Sequence, residues 1–332
     1  MALKWGIVSA GQISNDFAAA LTLASENEHQ IVAVAARSKQ RAEEFAKKFN
    51  IPRAYGSYKE LAEDPDVDVA YVGVFHPEHL RISELMMEHK KHVLCEKPLC
   101  VNYSQAYKMI KTAHQHHVFL MEGIWSRCTP IYEKLRQELS SGTIGRVRQV
   151  IVNFGAVVNA ERVRRRISCG GALLDIGIYN LQFALLAFGH AEPIDIQAIG
   201  ALNEDGVDEY ASVILKFGDK GVATLNFSVV HPLDNNAIII GTKGQITICN
   251  PFWAPTKMYI NDEKFEIKLQ EPEYPCNFVN SGALKFEADY VKHCLENGLL
   301  ECPLISHAES LLLARLQDKI RREIGVKYDQ DG

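Results

Sequence analysis

The sequence predicts an α/β protein of two domains: an N-terminal parallel sheet covered by helices, then a domain built on a broad sheet with unlike faces. Three observations carry this. The chain has 332 residues, more than one ordinary hydrophobic core serves. Over residues 1–122, short apolar runs alternate with amphipathic stretches. Over residues 123–332 the texture changes to longer runs in which apolar and polar positions alternate.

In the first part the apolar runs Trp5–Ser9, Ile31–Ala36, Val69–Val74 and Val93–Cys95 read as buried strands. Helix-like stretches follow at Asn15–Ala24, Lys39–Phe49, Lys59–Ala62, Pro77–His89 and Asn102–His116. Continuous apolar strands joined by amphipathic helices make a parallel sheet buried on both faces. Pro77 suits the first turn of a helix, and Pro98 suits a loop directly after a strand.

In the second part, Tyr210–Phe217 puts Ala211, Val213, Leu215 and Phe217 on one side. Val222–Val230 does the same with Ala223, Leu225, Phe227 and Val229. That side belongs against helices. The other side is semi-polar and is either solvated or a subunit interface. Further strands fit Arg146–Val157, Ile194–Ala201, Ala237–Gly241 and Gln245–Asn250, with a turn at Gly241–Gly244. Helices at Leu284–Leu295 and His307–Ile324 close the chain.

Composition narrows the function. Hydrophobic residues at 47% and charged residues at 23% suit a folded chain, and a net charge of −5 offers no general attraction for nucleic acid or anionic lipid. A small-molecule partner is therefore expected. The first residues lack a basic segment followed by an apolar core, and no apolar run approaches the ~18 to 20 residues that span a bilayer. The eight cysteines form no C-x-x-C pair, which points to free thiols, a cytoplasmic setting and no zinc site.

After the first strand comes Ser9-Ala10-Gly11-Gln12-Ile13-Ser14. A dinucleotide loop needs small residues where backbone amides approach the pyrophosphate at a helix N-terminus. Gly11 holds the central place, while Ser9 and Ser14 replace the outer glycines of the strict fingerprint. Its position at the first strand–helix junction makes it a candidate cofactor loop on a Rossmann-type domain. The second strand ends in Ala36-Arg37-Ser38-Lys39, without the carboxylate that holds the ribose of NAD. Arg37 with Ser38 would suit a 2′-phosphate, so NADP is expected; a solvated arginine fits the same position.

Three further stretches join that loop: Glu96-Lys97-Pro98 after the fourth strand, Phe75-His76-Pro77-Glu78-His79 before it, and Asp175-Ile176-Gly177-Ile178-Tyr179. Together they resemble the glucose–fructose oxidoreductase/inositol dehydrogenase family over the whole chain. The resemblance implies a Rossmann domain followed by an α/β domain with a large open, mainly antiparallel sheet. It implies that Lys97 lies by the nicotinamide, with Glu96, His76 and His79 near the cofactor. Many relatives carry histidine four residues after the aspartate, whereas this chain has Tyr179. The expected catalytic set is Lys97, Tyr179 and Asp175. An ordinary core tyrosine and a first-turn aspartate fit the same pattern. At i and i+4 the two would share a helix face, and Gly177 between them hints at a ligand or neighbouring backbone close by.

Finer motifs, among them Met121-Glu122-Gly123-Ile124-Trp125, point within the family to oxidation of trans-dihydrodiols of aromatic hydrocarbons to catechols, or of an aldopyranose such as D-xylose at C1. A homodimer through the second domain goes with that branch. Trp125, Trp253 and Phe278 are candidates for an apolar substrate pocket, with core packing equally open to each. No metal is expected at His76 and His79. The His114–His117 cluster reads as a polar helix end, and Arg162–Arg166 as a solvated run. A non-catalytic NADP-sensing regulator is the alternative from another class, against which Lys97 and Tyr179 both stand.

Overall fold

Six short runs rich in Val, Ile, Leu and Ala form one parallel sheet in the computed structural model, which describes Met1–Asp331. The elements are β1 (Leu3–Val8), α1 (Gln12–Leu21), β2 (His29–Ala35), α2 (Lys39–Phe49), β3 (Arg53–Tyr55), α3 (Tyr58–Glu63), β4 (Val69–Val72), α4 (His79–Glu88), β5 (His92–Glu96), α5 (Tyr103–His116) and β6 (Leu120–Gly123). The strand order is β3-β2-β1-β4-β5-β6, the doubly wound order of a Rossmann fold. Ile7, Val8, Val69, Ala70, Val72, Val93 and Leu94 are wholly buried, as strands covered on both faces require. The sequence reading lacked β3 and β6, which have three and four residues and so little periodicity to read.

The second sheet follows α6 (Pro130–Ser141), which starts on a first-turn proline and ends at Gly142 with φ +72°. It comprises β7 (Val147–Gly155), β8 (Asp195–Leu202), β9 (Asp208–Lys216), β10 (Val222–Ser228), β11 (Ala237–Gly241), β12 (Gln245–Ile248), β13 (Lys257–Ile260) and β14 (Glu263–Glu266). Between β7 and β8 lie α7 (Glu161–Arg164), a π-helical turn at Leu173–Gly177 and α8 (Ile178–Ala187). The order is β14-β13-β12-β11-β7-β10-β9-β8, antiparallel throughout except for β7 beside β10.

The alternation along β9 and β10 is realised: Ala211, Val213, Leu215, Ala223, Leu225 and Phe227 are buried, and α8 packs on β7 and β10. On the open face Ser212 donates to Asn226, and Asn226 donates to Asn153, each at 2.8 Å. Ile199, Tyr210 and Ile214 are exposed. The stretch Arg166–Ala187 is long and apolar enough in composition to cross a bilayer, against the expectation from sequence. From Cys169 to Ala187 it is buried throughout, as a core segment beneath a sheet must be, while Arg166 and Ile167 at its start are exposed.

The chain divides into two compact units. The first takes Met1–Cys100, Ser104–Cys128 and Leu269–Ser310, the last containing α9 (Leu284–Glu296). The second takes Val101–Tyr103, Thr129–Lys268 and the residues from Leu311 on, with most of α10 (His307–Ile324). Unlike a single cut after residue 122, this division returns 269–310 to the first unit. There the apolar side of α9, with Leu284, Ala288 and Val291 buried, packs on α1.

Candidate functional site

In the first unit the β1–α1 loop is shaped by Ser9, whose φ of +100° is unusual for a residue with a side chain. Its Oγ compensates by donating to Gly73 O (2.9 Å) and accepting the Gly11 N–H (3.2 Å). A Cβ on Gly11 would press on that same oxygen at 3.2 Å. Behind the loop α1 starts without a side-chain cap and without an acidic residue in its first turn. The amides from Gln12 and Ile13 onward are thus left for an anion. Ser14 Oγ is buried with no hydrogen-bond partner, and only the absence of a Cβ at Gly73 lets that strand pass it. A loop closed by its own serine, open helix amides and a spare buried hydroxyl fit a pyrophosphate.

At the end of β2, Arg37 and Ser38 are exposed. Ser38 Oγ accepts the Arg41 N–H (3.4 Å) and so caps α2. Arg41, absent from the sequence reading, reaches back over the loop and donates from Nη2 to Ala10 O (3.3 Å). Burial pushes the half-buried Tyr58 phenol up, opposed by the charges of Arg37, Arg81 and Arg41.

The Glu96-Lys97-Pro98 run closes β5. Glu96 is buried; its Oε1 accepts the Tyr71 hydroxyl (2.6 Å) and its Oε2 the Lys97 N–H (3.3 Å). Burial raises its carboxyl above the usual range while the Lys97 charge opposes that rise. Lys97 itself is half-buried. His79 is wholly buried, with Nδ1 2.9 Å from Pro98 O and Nε2 3.0 Å from Val74 O. Burial lowers its pKa while the Pro98 and Val74 carbonyls oppose that; the neutral ring donates to one of the two, and only the charged ring to both. His76 is buried edge-on to His79, with ring centroids 5.7 Å apart. On the far side of the run, Glu122 Oε1 accepts the Leu99 N–H (2.8 Å), and burial pushes that carboxyl up to about 7.

Trp125 is buried in a short turn, Trp125–Cys128. Phe278 is 42% exposed; its N–H donates to Asp16 Oδ2 (2.8 Å), one of several bonds by which Asp16 on α1 holds residues 277–281. His114 is exposed in the last turn of α5, the polar helix end expected, and meets the His307 ring edge-on at 5.3 Å. No group of three or more metal-ligating side chains occurs among the described residues.

In the second unit Asp175 lies in the π turn and Tyr179 in the first turn of α8, both buried. Arg162 Nη1 donates to Asp175 Oδ1 at 2.8 Å, so Arg162 is not part of a solvated run. Thirteen positions separate the pair, too far for local periodicity to reveal. The Tyr179 ring lies 6.0 Å from Phe154, and Phe154 stacks on Trp253 at 3.7 Å. Phe154 escaped the sequence reading because it alternates like any strand residue. At Gly177 the close neighbour is the Phe227 ring, 3.0 Å from where a Cβ would stand, rather than a ligand or backbone.

Comparison with known proteins extends these features. A family profile described as an oxidoreductase family with an NAD-binding Rossmann fold matches residues 3–124, and one described as the GFO/IDH/MocA C-terminal domain matches 132–247. Proteins named trans-1,2-dihydrobenzene-1,2-diol dehydrogenase from Danio rerio and Homo sapiens are 46% and 44% identical, each covering 100% of this chain and 99% of the relative. An aldose-aldose oxidoreductase from Caulobacter crescentus shares the fold with a TM-score of 0.83 at 21% identity, covering 97% of each chain. So does a levoglucosan dehydrogenase complexed with NADH and levoglucosan (TM-score 0.83, 17% identity, 98% of each chain). A 3-ketoreductase from Actinomadura kijaniata in complex with NADP does likewise (TM-score 0.82, 24% identity, 99% of each chain).

Proposed function

Because the chain belongs to the GFO/IDH/MocA oxidoreductase family and is a dinucleotide-dependent dehydrogenase, we propose that it oxidises trans-dihydrodiols of aromatic hydrocarbons to catechols with NADP⁺. What carries this reading is the end-to-end match, at 43–46% identity, to relatives bearing that name. The aromatic surface that Phe154 and Trp253 build beside Tyr179 suits a ring-shaped substrate. D-Xylose, oxidised at C1 to the lactone, is a second substrate of the same site, since its ring likewise presents a carbon bearing both a hydroxyl and a hydride to lose.

The residues divide the work by their chemistry. Ser9, Gly11, Gln12 and Ile13 hold the pyrophosphate on the amides of α1. Arg37 and Arg41 bind the 2′-phosphate, with Ser38 adding a hydroxyl. Bidentate guanidinium–phosphate pairing and the lack of a carboxylate there favour NADP over NAD. Glu96, Lys97 and His76 face the nicotinamide end, and His79 acts from beneath by fixing the loops that carry them. When bound, the cofactor supplies the hydride acceptor. Tyr179 takes the proton of the substrate hydroxyl, and the Lys97 ammonium stabilises the oxyanion and makes the phenol a stronger acid. Asp175, held by Arg162, orients the substrate or the tyrosine. Trp125 and Phe278 contribute apolar surface to the pocket. Two chains associate through the open face bearing Ile199, Tyr210 and Ile214. The free thiols of all eight cysteines fit a reducing cytoplasm.

The test is spectrophotometric. NADPH formation is followed with benzene trans-dihydrodiol and with D-xylose, and the cofactor is exchanged for NAD⁺. Turnover of the diol with the higher kcat/KM, and with NADP⁺ preferred, supports the proposal. Absence of turnover with either substrate overturns it, and a sensor built on the same fold would then remain.

A further inference from the structure

We infer that Asp208 is a positioning residue for the dehydrogenase reaction: from β9 it grips the amide end of the π turn that carries Asp175 and leads into Tyr179. The inference rests on the acid/base reading of Tyr179 given above.

Asp208 is wholly buried, and its Oδ2 accepts the Leu173 N–H at 2.6 Å. The amide of Ala172 also favours the ionised carboxyl. The backbone wraps closely around the group: at Gly171, φ is +116° and a Cβ would stand 2.2 Å from Asp208 Oδ1. Glycine is required there on both counts. The preceding residue is held too, since the Tyr328 hydroxyl donates to Gly170 O. Arg321 lies over the Tyr328 ring at 4.8 Å and is tied to Asp318 and Asp331. The charged and titratable groups that bear on this corner are Arg321, Tyr328, Cys169 and Asp331, and of these Arg321 favours the Asp208 anion.

A helix start needs acceptors for its free amides, and asparagine commonly supplies one without a charge. A buried carboxylate is a costly substitute. Asp208 Oδ2 holds the Leu173 amide, while Oδ1 is buried against Gly171 without a hydrogen-bond partner, so the cost is met at the start of the π turn rather than spread over several donors. Such turns are uncommon and concentrate at functional sites. Relaxing this one to α geometry would rotate Asp175 relative to Tyr179 by an angle on the order of tens of degrees. The grip of Asp208 on Leu173 opposes that relaxation. Burial raises the carboxyl to about 6, so the anion that accepts most strongly is lost as pH falls through that value.

The test uses the full chain with Asp208→Asn, which keeps shape and removes charge. Cofactor Kd, substrate KM and kcat are measured from pH 5 to 9. Expected are a cofactor Kd within about twofold of the parent, a kcat lower by about tenfold or more, and loss of the rise in kcat expected of the parent through about pH 6. A kcat within twofold, or an equal loss at every pH with the acid limb kept, overturns the inference. A merely structural role gives that uniform loss. If Asp208→Asn does not fold, the Leu173 amide resonance of the parent is followed against pH. Titration near 6 in step with kcat supports the inference, and a flat resonance overturns it. Tyr179→Phe is assayed alongside. Normal turnover there defeats the acid/base reading itself, whereas slow Tyr179→Phe beside normal Asp208→Asn defeats only the role of Asp208.

Discussion

The loop that carries Lys97 and the turn that leads to Tyr179 belong to different units, yet each is held by a buried carboxyl from a neighbouring strand. Glu122 on β6 accepts the Leu99 N–H, and Asp208 on β9 accepts the Leu173 N–H. The surroundings differ. The Lys97 loop ends a strand inside a parallel sheet and is held again by the Tyr71–Glu96 bond and by His79. The Tyr179 segment leaves regular helix geometry altogether in the π turn, and its hold depends on β9 and the chain's C-terminal segment. Both segments are held several times over, the second also by Arg162 on Asp175 and by Asn180, which donates to Val152 O and Asn226 O. What differs is reach and geometry: the supports of the Lys97 loop lie within 25 positions, whereas the Tyr328–Gly170 bond spans 158. Because the π turn departs from regular helix geometry, damage to one of its supports should cost more than in the first unit.

The largest expected effect lies at the groups proposed as catalytic. Lys97→Met should lower kcat by on the order of 10³-fold while cofactor Kd changes little, because the ammonium acts on charge that develops in the reaction. Fluorescence titration beside steady-state kinetics checks this, and a loss confined to cofactor binding would instead make Lys97 a cofactor contact.

Next in size is a stability effect at Glu122. Its carboxyl is raised from the ordinary 4.5 to about 7 in the folded chain. The stabilisation from proton uptake is complete below about 4.5 and lost as pH rises through about 7, amounting to at most about 3 kcal/mol. Glu122→Gln keeps an acceptor for Leu99 without an ionisation to suppress. Its Tm relative to the parent should climb between pH 5 and 8.5, with kcat within a fewfold of the parent. If kcat instead falls as far as in Asp208→Asn, the contrast between a loop at a strand end and a π turn is broken.

Arg37→Ala should weaken NADP⁺ by about 10- to 100-fold and NAD⁺ by far less, measured as paired Kd values. Equal weakening would remove the 2′-phosphate role. The smallest effect on chemistry is expected at the open sheet face. Ile214→Asp should leave kcat nearly unchanged while light scattering reports a shift from dimer to monomer. An unaltered dimer would place the interface elsewhere.

The same division between local and distant support decided what the sequence could reveal. The first unit was legible because its information is local: α2 was read to the residue, and the Glu96-Lys97-Pro98 run closes the strand it was expected to close. The alternation along β9 and β10 also needed nothing beyond its own residues. The site features missed were those made by partners far apart in the chain. Arg162 looked like one of several solvated arginines until the fold set it against Asp175. Gly177 invited a ligand, but its space is taken by Phe227, 50 positions on. Asp208 carried no motif, since a helix cap supplied from a strand 35 residues away leaves no local spacing. Short elements such as β3 and β13 were too brief for any period to show.

The account's central claim is that Lys97 and Tyr179 act on one substrate oxygen. A double-mutant cycle tests it most directly, with single-turnover NADPH formation measured for the parent, Lys97→Met, Tyr179→Phe and the double variant. Groups that serve one oxygen together should be strongly non-additive, so the double variant is expected to be about as slow as the slower single one. A double loss equal to the product of the two single losses would show that they act independently, and would contradict the claim.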